Sequence, residues 1–404
     1  MKVLMFGWEF PPFNTGGLGT ACYGLTKGLA HNGVNVTFVL PHIPEKAKSD
    51  FVKLISAGNI SKIKLRGVKT NLVGYMTSEE YRRSLLLNKA ASKRRDIYGR
   101  DLFAEVYRYS LQAGLIARYE PHDLIHCHDW MTYQAGIKAR KISGKPLVIH
   151  VHATEFDRTG GHGVNQAVYN IEREGMHAAD SIIAVSNFTK NRIVEHYGID
   201  PMKVQVVHNA IEFNGDQYGD FGLKKGNKVV LFMGRVTLQK GPDYFLYTAK
   251  RVLEIDPNVR FIIAGSGDMT ASMIEKAADL GIADKVLFAG FLRGPDIDRA
   301  YQMADLYVMP SVSEPFGLTP LEAMRNKTPV IISKQSGVSE VINNCLKSDF
   351  WDIDRMTNQI IGVLRYKEAH EALKEGGYQE VQKFNWDEPA RKCVEVYNRV
   401  LRGI

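Results

Sequence analysis

The feature that most constrains the fold is a regular alternation of short apolar runs with helix-like stretches along both halves of the chain. Runs rich in β-branched and aromatic residues, bounded by glycine, proline or polar turns, predict buried strands. They lie at residues 2–10, 34–40, 124–128, 147–152, 181–185 and 204–208, and again at 228–234, 260–265, 285–291, 305–309 and 329–333. Strands that alternate with helices in this way predict an α/β protein built on parallel sheets.

The length of the chain predicts two domains. A chain of 404 residues is too long for one ordinary hydrophobic core. The polar segment 212–227 holds four glycines, separates the two series of strands and is typical of a linker. We therefore expect two doubly wound, Rossmann-like domains, 1–212 and 213–384, that face each other across a cleft. Ligands are expected at the carboxyl ends of both sheets.

The net charge of +8 is concentrated in one segment of the first domain. Between residues 52 and 100 there are 12 lysines and arginines against three acidic residues, which is a local charge of +9. The rest of the chain is nearly neutral, so the uniform basicity of a nucleic-acid-binding protein is absent. The basic segment is either a solvated insertion or a face for peripheral contact with an anionic surface or an acidic partner.

The composition is that of a soluble protein of the cytoplasm. No run of about 20 apolar residues predicts a membrane-spanning helix. The first ten residues, MKVLMFGWEF, lack the cleavage-site pattern of a signal peptide and predict a strand. The four cysteines are scattered, without a C-x-x-C pair, and reduced thiols are the simplest expectation.

The stretch 304–325, ADLYVMPSVSEPFGLTPLEAMR, predicts a ligand site. A buried strand ends at Pro310, and after a polar loop Gly317, Leu318 and Thr319 open a helix. The free amides and positive dipole end of such a helix suit an anion. Glu314 and Glu322 stand eight residues apart, on the loop and the helix, and would repel that anion unless they faced groups such as sugar hydroxyls. A ligand with both phosphate and sugar fits both halves of the stretch.

Three further loops at strand ends suit phosphate groups. Arg235 and Lys240 bring two cations to the end of a predicted strand, where they would stabilise the charge of a diphosphate. Gly265 lies in a tight turn after the next strand. Gly16 and Gly17 follow the first strand and allow a ligand to approach the main chain. The loop is not G-x-G-x-x-G, and no acidic residue closes the second strand, which disfavours a nicotinamide dinucleotide.

Two strand ends are rich in histidine, at His126-Cys127-His128-Asp129 and at His150-Val151-His152. Because residues i and i+2 of a strand share a face, each pair could chelate a metal ion, which leaves a metal-dependent hydrolase as an alternative. No third cluster with ligand spacing follows downstream. The Asp-x-Asp pairs at 296–298 and 352–354 precede helix-like stretches and predict acids at helix starts rather than metal ligands.

Five motifs occur in an order that resembles the retaining glycosyltransferases of the GT-B fold, the superfamily that includes glycogen and starch synthases. They are the Gly-Gly loop, His-x-His-Asp-Trp at 126–130, Val-His at 151–152, Arg-x4-Lys-Gly at 235–241 and Glu-x7-Glu at 314–322. Asn14 stands where the glycogen-synthase loop has lysine, and Glu322 is present where bacterial starch-synthase-like enzymes often lack the second glutamate. The sequence Phe384-Asn385-Trp386-Asp387 also resembles the family, whose final helix, here 385–404, returns to the first domain.

The resemblance implies a role for each motif. Arg235 and Lys240 would hold the diphosphate, assisted by Gly16, Gly17, Gly265 and the amides of Gly317, Leu318 and Thr319. Glu314 would bind the hydroxyls of the donor sugar, and Glu322 would bind the ribose. His152 would lie beside the donor sugar at the reacting carbon, and Asp129 would line the acceptor side.

The function that we predict from these residues is transfer of glucose from ADP-glucose or UDP-glucose to an α-1,4-glucan, with retention at the anomeric carbon. The nucleotide sugar is a co-substrate, and no metal or other cofactor is expected to be required. Alternatives are a hexosyltransferase with a cell-surface or lipid-linked glycan acceptor, a sugar-nucleotide epimerase that shares the fold, and the metal-dependent hydrolase.

Overall fold

The computed structural model describes residues 1–11, 16–42, 49–57, 102–161, 163–213 and 227–403. The chain divides into two compact units, a first unit of Met1–Ala210 with Trp386–Ile404 and a second unit of Ile211–Asn385. The basic segment from residue 58 onward, with a strand predicted at 62–73, and most of the predicted linker lie outside the described residues. Within the described ranges, no helix has both the length and the apolar character needed to cross a bilayer.

The first unit is built on a parallel sheet of seven strands in the order β3-β2-β1-β4-β5-β6-β7. The strands are β1 (Lys2–Phe6), β2 (Asn35–Leu40), β3 (Lys53–Ser56), β4 (Leu124–His128), β5 (Leu147–Val151), β6 (Ser181–Ala184) and β7 (Val204–Val206). The described helices are α1 (Gly17–His31), α2 (Leu102–Tyr119), α3 (Trp130–Ser143), α4 (Glu155–Arg158), α5 (Gln166–Ala178), α6 (Asn187–Tyr197) and, from the end of the chain, α13 (Asp387–Arg402).

The second unit repeats the plan with six parallel strands in the order β10-β9-β8-β11-β12-β13. Its strands are β8 (Lys228–Met233), β9 (Val259–Ala264), β10 (Val286–Gly290), β11 (Leu306–Met309), β12 (Val330–Ser333) and β13 (Leu346–Ser348). Its described helices are α7 (Pro242–Ile255), α8 (Thr270–Asp279), α9 (Pro295–Met303), α10 (Leu318–Arg325), α11 (Ile353–Arg365) and α12 (Lys367–Val381). The predicted α/β class with two doubly wound parallel sheets is confirmed.

The apolar runs of the sequence form these strands because both faces of each sheet carry helices. Every residue of β4, β5, β6, β11 and β12 is buried, as expected for central strands of a parallel sheet. The prediction ran too far at the first strand, which ends at Phe6 rather than at residue 10. Trp8 and Phe10 are also buried, in the loop, so apolar character alone does not mark where a strand stops.

The predicted helix-start acids are confirmed. Asp296 and Asp298 lie in the first turn of α9. Asp352 caps α11, where its carboxylate accepts a hydrogen bond of 3.0 Å from the amide of Arg355. All four cysteines are buried free thiols, as predicted.

The final helix packs in the first unit, against α1. A Cβ at Gly24 would fall 2.1 Å from Nε1 of Trp386, and one at Gly28 would fall 2.4 Å from the Trp386 carbonyl oxygen. The two glycines therefore let the α13 end of the chain approach α1 more closely than any side chain allows. Deeper in the same unit, the Tyr397 hydroxyl lies 2.7 Å from Nδ1 of His126 on β4.

The strand order places a change of direction at the same point in each sheet. In the first sheet, successive strands are added on one side from β1 to β3 and on the other side from β4 to β7. In the second sheet, they are added on one side from β8 to β10 and on the other from β11 to β13. In doubly wound sheets, the loops at the carboxyl ends of two such strands diverge and leave a crevice that binds ligands. The predicted site loops follow these strands or their neighbours.

Gly265 provides a direct test of the loop packing after β8 and β9. It has a φ of +145°, and a Cβ there would lie 1.8 Å from the carbonyl oxygen of Gly234. We expect Gly265→Ala to lower the free energy of unfolding by more than about 2 kcal/mol, since both the backbone and the neighbouring loop must move.

The matched control is Gly362→Ala, the same substitution inside α11, where an added Cβ meets no atom within 4 Å. It is expected to raise the free energy of unfolding by about 0.5–1 kcal/mol because alanine favours a helix. Urea denaturation of both variants measures the difference. Equal stability of the two would contradict the described loop contact.

Candidate active site

The loops after β8 and β9 run side by side in the second unit. The amide of Gly234 donates to the Ala264 carbonyl at 3.0 Å, and the amide of Val236 donates to the Ser266 carbonyl at 3.1 Å. These bonds continue the sheet beyond its strands. They place the loop that contains Arg235 and Lys240 against the turn that contains Gly265, whose predicted contact with a nucleotide stays a prediction.

Gln239 connects the basic loop to the loop after β11. Its carbonyl accepts hydrogen bonds from the amides of Val312 at 2.9 Å and Ser313 at 3.4 Å. Its side-chain oxygen accepts one from Nη2 of Arg235 at 3.0 Å. Gln239 is buried and was not predicted, because a single buried amide leaves no pattern in the sequence.

Lys240 and Glu314, which were predicted from separate motifs, form an ion pair in the structure. The same carboxylate oxygen of Glu314 lies 3.4 Å from the hydroxyl of Ser311. The backbone of Glu314 is fixed on both sides, since its amide donates to Gln335 and its carbonyl accepts from Gly337, each at 2.9 Å. The side chains are 17% and 8% exposed, so both charges are largely buried where the two loops meet.

The helix α10 begins where the sequence predicted, with Gly317 as the preceding cap residue and Leu318 as the first residue. Gly317 has a φ of +103°, a backbone conformation that side chains rarely adopt. The Thr319 hydroxyl accepts a hydrogen bond of 2.8 Å from Tyr307 on β11, which ties the first turn of the helix to the sheet. The amides of this turn therefore have a fixed position at the carboxyl end of β11.

Glu322 lies about one turn into α10, where its carboxylate accepts a hydrogen bond of 3.0 Å from the Tyr301 hydroxyl. Burial raises the pKa of the Glu322 carboxyl, while Arg325, the bond from Tyr301 and Lys240 act in the opposite direction. Its ionised form is thus less stable in the folded chain than in water.

We predict that Glu322→Gln stabilises the protein at neutral pH. Folding raises the pKa of Glu322. Above the unfolded pKa of about 4.3, the folded chain therefore holds this proton more tightly than the unfolded chain does. The wild-type chain therefore loses stability as the pH rises through the folded pKa, whereas glutamine keeps the hydrogen bond and has no charge to bury.

Thermal unfolding of both proteins from pH 4 to pH 8 checks this expectation. The gain should be near zero at pH 4 and should grow as the pH rises toward 8. Glu254→Gln is the control, since Glu254 is exposed on α7 and pairs with Arg251, so its replacement relieves no burial of charge and should not stabilise the protein. A gain for Glu322→Gln that is independent of pH would contradict the argument.

The glycine loop of the first unit is described in part. Gly16 is the cap residue of α1, and Gly17 is its first helical residue. Asn14 lies outside the described residues. The predicted contact of Gly16 and Gly17 with a phosphate stays a prediction.

The two histidine pairs come together on adjacent strands. His128 on β4 stands directly opposite His150 on β5 in the parallel register. His126 lies two residues before His128, and His152 lies two residues after His150, so all four rings lie on one face of the sheet. Neighbouring rings stack, with centroids 4.5 Å apart for His126 and His128 and 4.4 Å apart for His150 and His152. Burial lowers the pKa of His126 and of His152 to about 3, so both rings are neutral at physiological pH.

Asp129 holds the backbone at His152. Its buried carboxylate accepts hydrogen bonds from the amides of His152 at 2.6 Å and Ala153 at 3.3 Å. Asp129 has a φ of +59°, which is unfavourable for an aspartate and marks a conformation that the surrounding structure imposes. The residue is 0% exposed, and its carboxylate contacts the backbone at His152 and Ala153. Its predicted place on the acceptor side stays a prediction.

Arg158 completes this region and was not predicted. Its guanidinium donates to Glu172 and to the Ala153 carbonyl, each at 2.9 Å, and lies 3.9 Å from Asp129. Burial raises the pKa of the Glu155 and Glu172 carboxyls, and Arg158 acts against that rise. The sequence does contain a signal, since Glu155 and Arg158 stand three residues apart, a spacing that brings side chains together on a helix.

Two groups of described residues could hold a metal ion, His126 with His128 and His150, and Cys22 with His128 and His152. The sequence showed no third metal ligand near either histidine pair. The structure brings the two pairs together, so that one pair provides the third ligand for the other. The prediction that no metal is required is not tested by this geometry.

Comparison with known proteins identifies the chain's relatives. Residues 216–380 match the family model described as glycosyl transferases group 1, and residues 15–214 match glycosyltransferase family 4. The chain is 30% identical to an uncharacterized glycosyltransferase of Methanocaldococcus jannaschii, with 98% of each chain covered. It is 29% identical to a D-inositol 3-phosphate glycosyltransferase of Segniliparus rotundus, over 70% of this chain and 67% of that one. It is 25% identical to the glycogen synthase of Mycobacterium tuberculosis, over 100% and 96%.

Solved structures share the fold at lower identity. A sucrose-phosphate synthase from Thermosynechococcus elongatus superposes with a TM-score of 0.77 and 18% identity, and 100% of each chain is covered. The Anabaena protein HepE, solved in complex with UDP-glucose, gives a TM-score of 0.71 and 18% identity over 98% of this chain and 99% of that one. The two sheets therefore have the GT-B fold.

Proposed function

Since the chain belongs to the group 1 glycosyltransferases, we propose that it transfers glucose from ADP-glucose or UDP-glucose to an α-1,4-glucan with retention of configuration. One observation carries this proposal. Arg235, Lys240, Glu314 and the first turn of α10 lie on loops that are hydrogen-bonded to one another after β8 and β11. Cations, a carboxylate and free helix amides in one rigid network suit a sugar joined to a diphosphate.

In this proposal Lys240 and Glu314 each bind the ligand as well as each other. A lone carboxylate beside a diphosphate would repel it, whereas a carboxylate paired with lysine is partly neutralised. The lysine can then face the diphosphate while Glu314 accepts hydrogen bonds from sugar hydroxyls. Arg235, held by Gln239, would supply the second cation, and Glu322 would accept a hydrogen bond from the ribose.

The proposed transfer breaks the bond between the anomeric carbon and the diphosphate oxygen, and an acceptor hydroxyl oxygen bonds to that carbon on the same face. The acceptor proton passes to the departing diphosphate. Arg235, Lys240 and the amides of Gly317–Thr319 would stabilise the charge that develops on the leaving group. In the first unit, we propose that His152 contacts the donor sugar, with Asp129 and Arg158 as the groups that position it. No metal is proposed for these steps.

A second acceptor class has its own support. The relative from Segniliparus rotundus is named for a small phosphorylated acceptor, and the basic segment 52–100 would suit an anionic acceptor or surface. The alternative is therefore a hexosyltransferase with another acceptor, either a cell-surface or lipid-linked glycan or a small phosphorylated molecule. The family membership does not support the metal-dependent hydrolase.

The test of the proposal is a panel of nucleotide sugars with and without acceptors, scored for released nucleoside diphosphate and for labelled product. The acceptors are glycogen, D-inositol 3-phosphate and a lipid-linked oligosaccharide. We expect release from ADP-glucose or UDP-glucose that depends on glycogen and is unchanged by EDTA. Release without any acceptor, or conversion of the donor sugar alone to an epimer, would contradict transfer. Dependence on one of the other acceptors would favour the alternative.

We predict that Arg235→Ala, Lys240→Ala and Glu314→Ala each raise the barrier for turnover by about 2–4 kcal/mol, the loss typical of a charge-stabilising group. Arg251→Ala is the control in the same unit, since this arginine is 54% exposed and pairs with Glu254 and Asp354 on the surface. Its effect on kcat/KM should stay below about 1 kcal/mol. Steady-state kinetics with the active donor measure all four. Near-normal turnover in the three site variants would mean that the site lies elsewhere.

A further inference from the structure

The histidine cluster in the core of the first unit is larger than a sugar contact requires. His126, His128 and His150 are 0%, 0% and 1% exposed. Their ring centroids lie 4.5–5.5 Å from one another. Three polar rings therefore lie together in the core of the first unit, shielded from water.

Several ring nitrogens in this cluster have no hydrogen-bond partner among the described residues. They are Nε2 of His126, Nε2 of His128 and both nitrogens of His150. The other nitrogen of His126 bonds the Tyr397 hydroxyl at 2.7 Å, and that of His128 bonds Nε2 of His152 at 2.9 Å. A buried polar atom without a partner lowers stability, and most are satisfied by protein, water or an ion. Four in one small volume indicate an occupant.

We propose that one ring nitrogen of each of His126, His128 and His150 binds a transition-metal ion of the zinc class. The ligand atoms that the three rings offer all lie within 4.8 Å of one another. Nitrogens bound to one tetrahedral zinc ion, with bonds of about 2.0–2.1 Å, lie about 3.4 Å apart. The three rings are stacked at interplanar angles of 4–30°, so they would have to turn about their side-chain bonds until their lone pairs converge on the ion. Tyr397 and His152 would hold His126 and His128 from outside, as the outer partners of histidine ligands commonly do.

The proposed ion would have a structural role, distinct from the proposed transfer. The ligands come from β4 and β5, and Tyr397 belongs to α13, so the ion would join the centre of the sheet to the helix that ends the chain. Because the ligands are buried, the ion would enter as the chain folds and leave the native protein slowly. The sugar transfer would remain insensitive to a chelator added to folded protein.

A second group, Cys22 with His128 and His152, shares His128 with the first. We favour the three histidines because Nδ1 of His128 and Nε2 of His152 already bond each other in the structure, whereas His150 has both nitrogens available. The two groups differ by a thiolate, which a cobalt spectrum detects.

The experiment uses the full chain without an affinity tag, produced in medium supplemented with zinc and purified without chelators. Elemental analysis is expected to give about one zinc per chain for the wild type and for Cys22→Ala, and less than about 0.1 for His150→Phe. Tyr397→Phe keeps the ring and removes the outer hydrogen bond, and should lower metal affinity about 10–100-fold in competition with a chelator.

Protein produced with Co²⁺ supplies a measurement that does not depend on whether a variant folds. Visible bands of bound cobalt without a thiolate charge-transfer band are expected. A wild-type chain that carries less than about 0.1 zinc or cobalt would overturn the proposal. Zinc that is lost in Cys22→Ala, or a thiolate band, would overturn it in favour of the other group. Neither result depends on whether the chain transfers glucose.

Discussion

Parallel pairing of β8 with β9 on one side and with β11 on the other is the constraint on which the candidate site of the second unit depends. Strands that run in the same direction all end at the same edge, so three loops distant in sequence must meet there. The hydrogen bonds from Val236 to Ser266 and from Val312 to Gln239 then fix the loops in place. The cations and the carboxylate of the site are close to each other because their loops all begin at the same edge of the sheet.

The pattern of apolar runs predicted most of the fold because burial on both faces of a sheet leaves a continuous signal in the sequence. It also predicted where α10 begins, since proline and glycine have local conformational meaning. The pattern did not predict which side chains contact each other. That Lys240 pairs with Glu314, 74 residues later, follows from strand order, and no local pattern encodes it. Gln239 was not predicted because a single buried polar residue looks like a surface residue in a sequence. The spacing of Glu155 and Arg158 predicts that their side chains meet, but it does not show that they are buried.

The first unit shows how much unfavourable structure surrounds His152. Asp129 adopts a strained backbone conformation, Arg158 brings a charge into the core, and the carboxyls of Glu155 and Glu172 are buried beside it. Each feature alone lowers stability, and the buried polar groups are stabilised only by their contacts with one another. Conformations of this kind are found where a protein must hold particular groups in fixed positions. The segment 152–158, which ends in the short helix α4, is held in place by buried side chains of other elements, among them Asp129 and Glu172.

The return of the last helix to the first unit has a consequence for how the protein is made. The seven strands of the first sheet have all been synthesised by Val206, but Trp386 and Tyr397, which cover α1 and reach His126, come roughly 190 residues later. At a ribosomal rate of about 5–20 residues per second, the nascent first unit waits about 10–40 s with the glycine face of α1 uncovered. During that interval the second unit can emerge and fold. The first unit meanwhile exposes a surface to which a chaperone can bind.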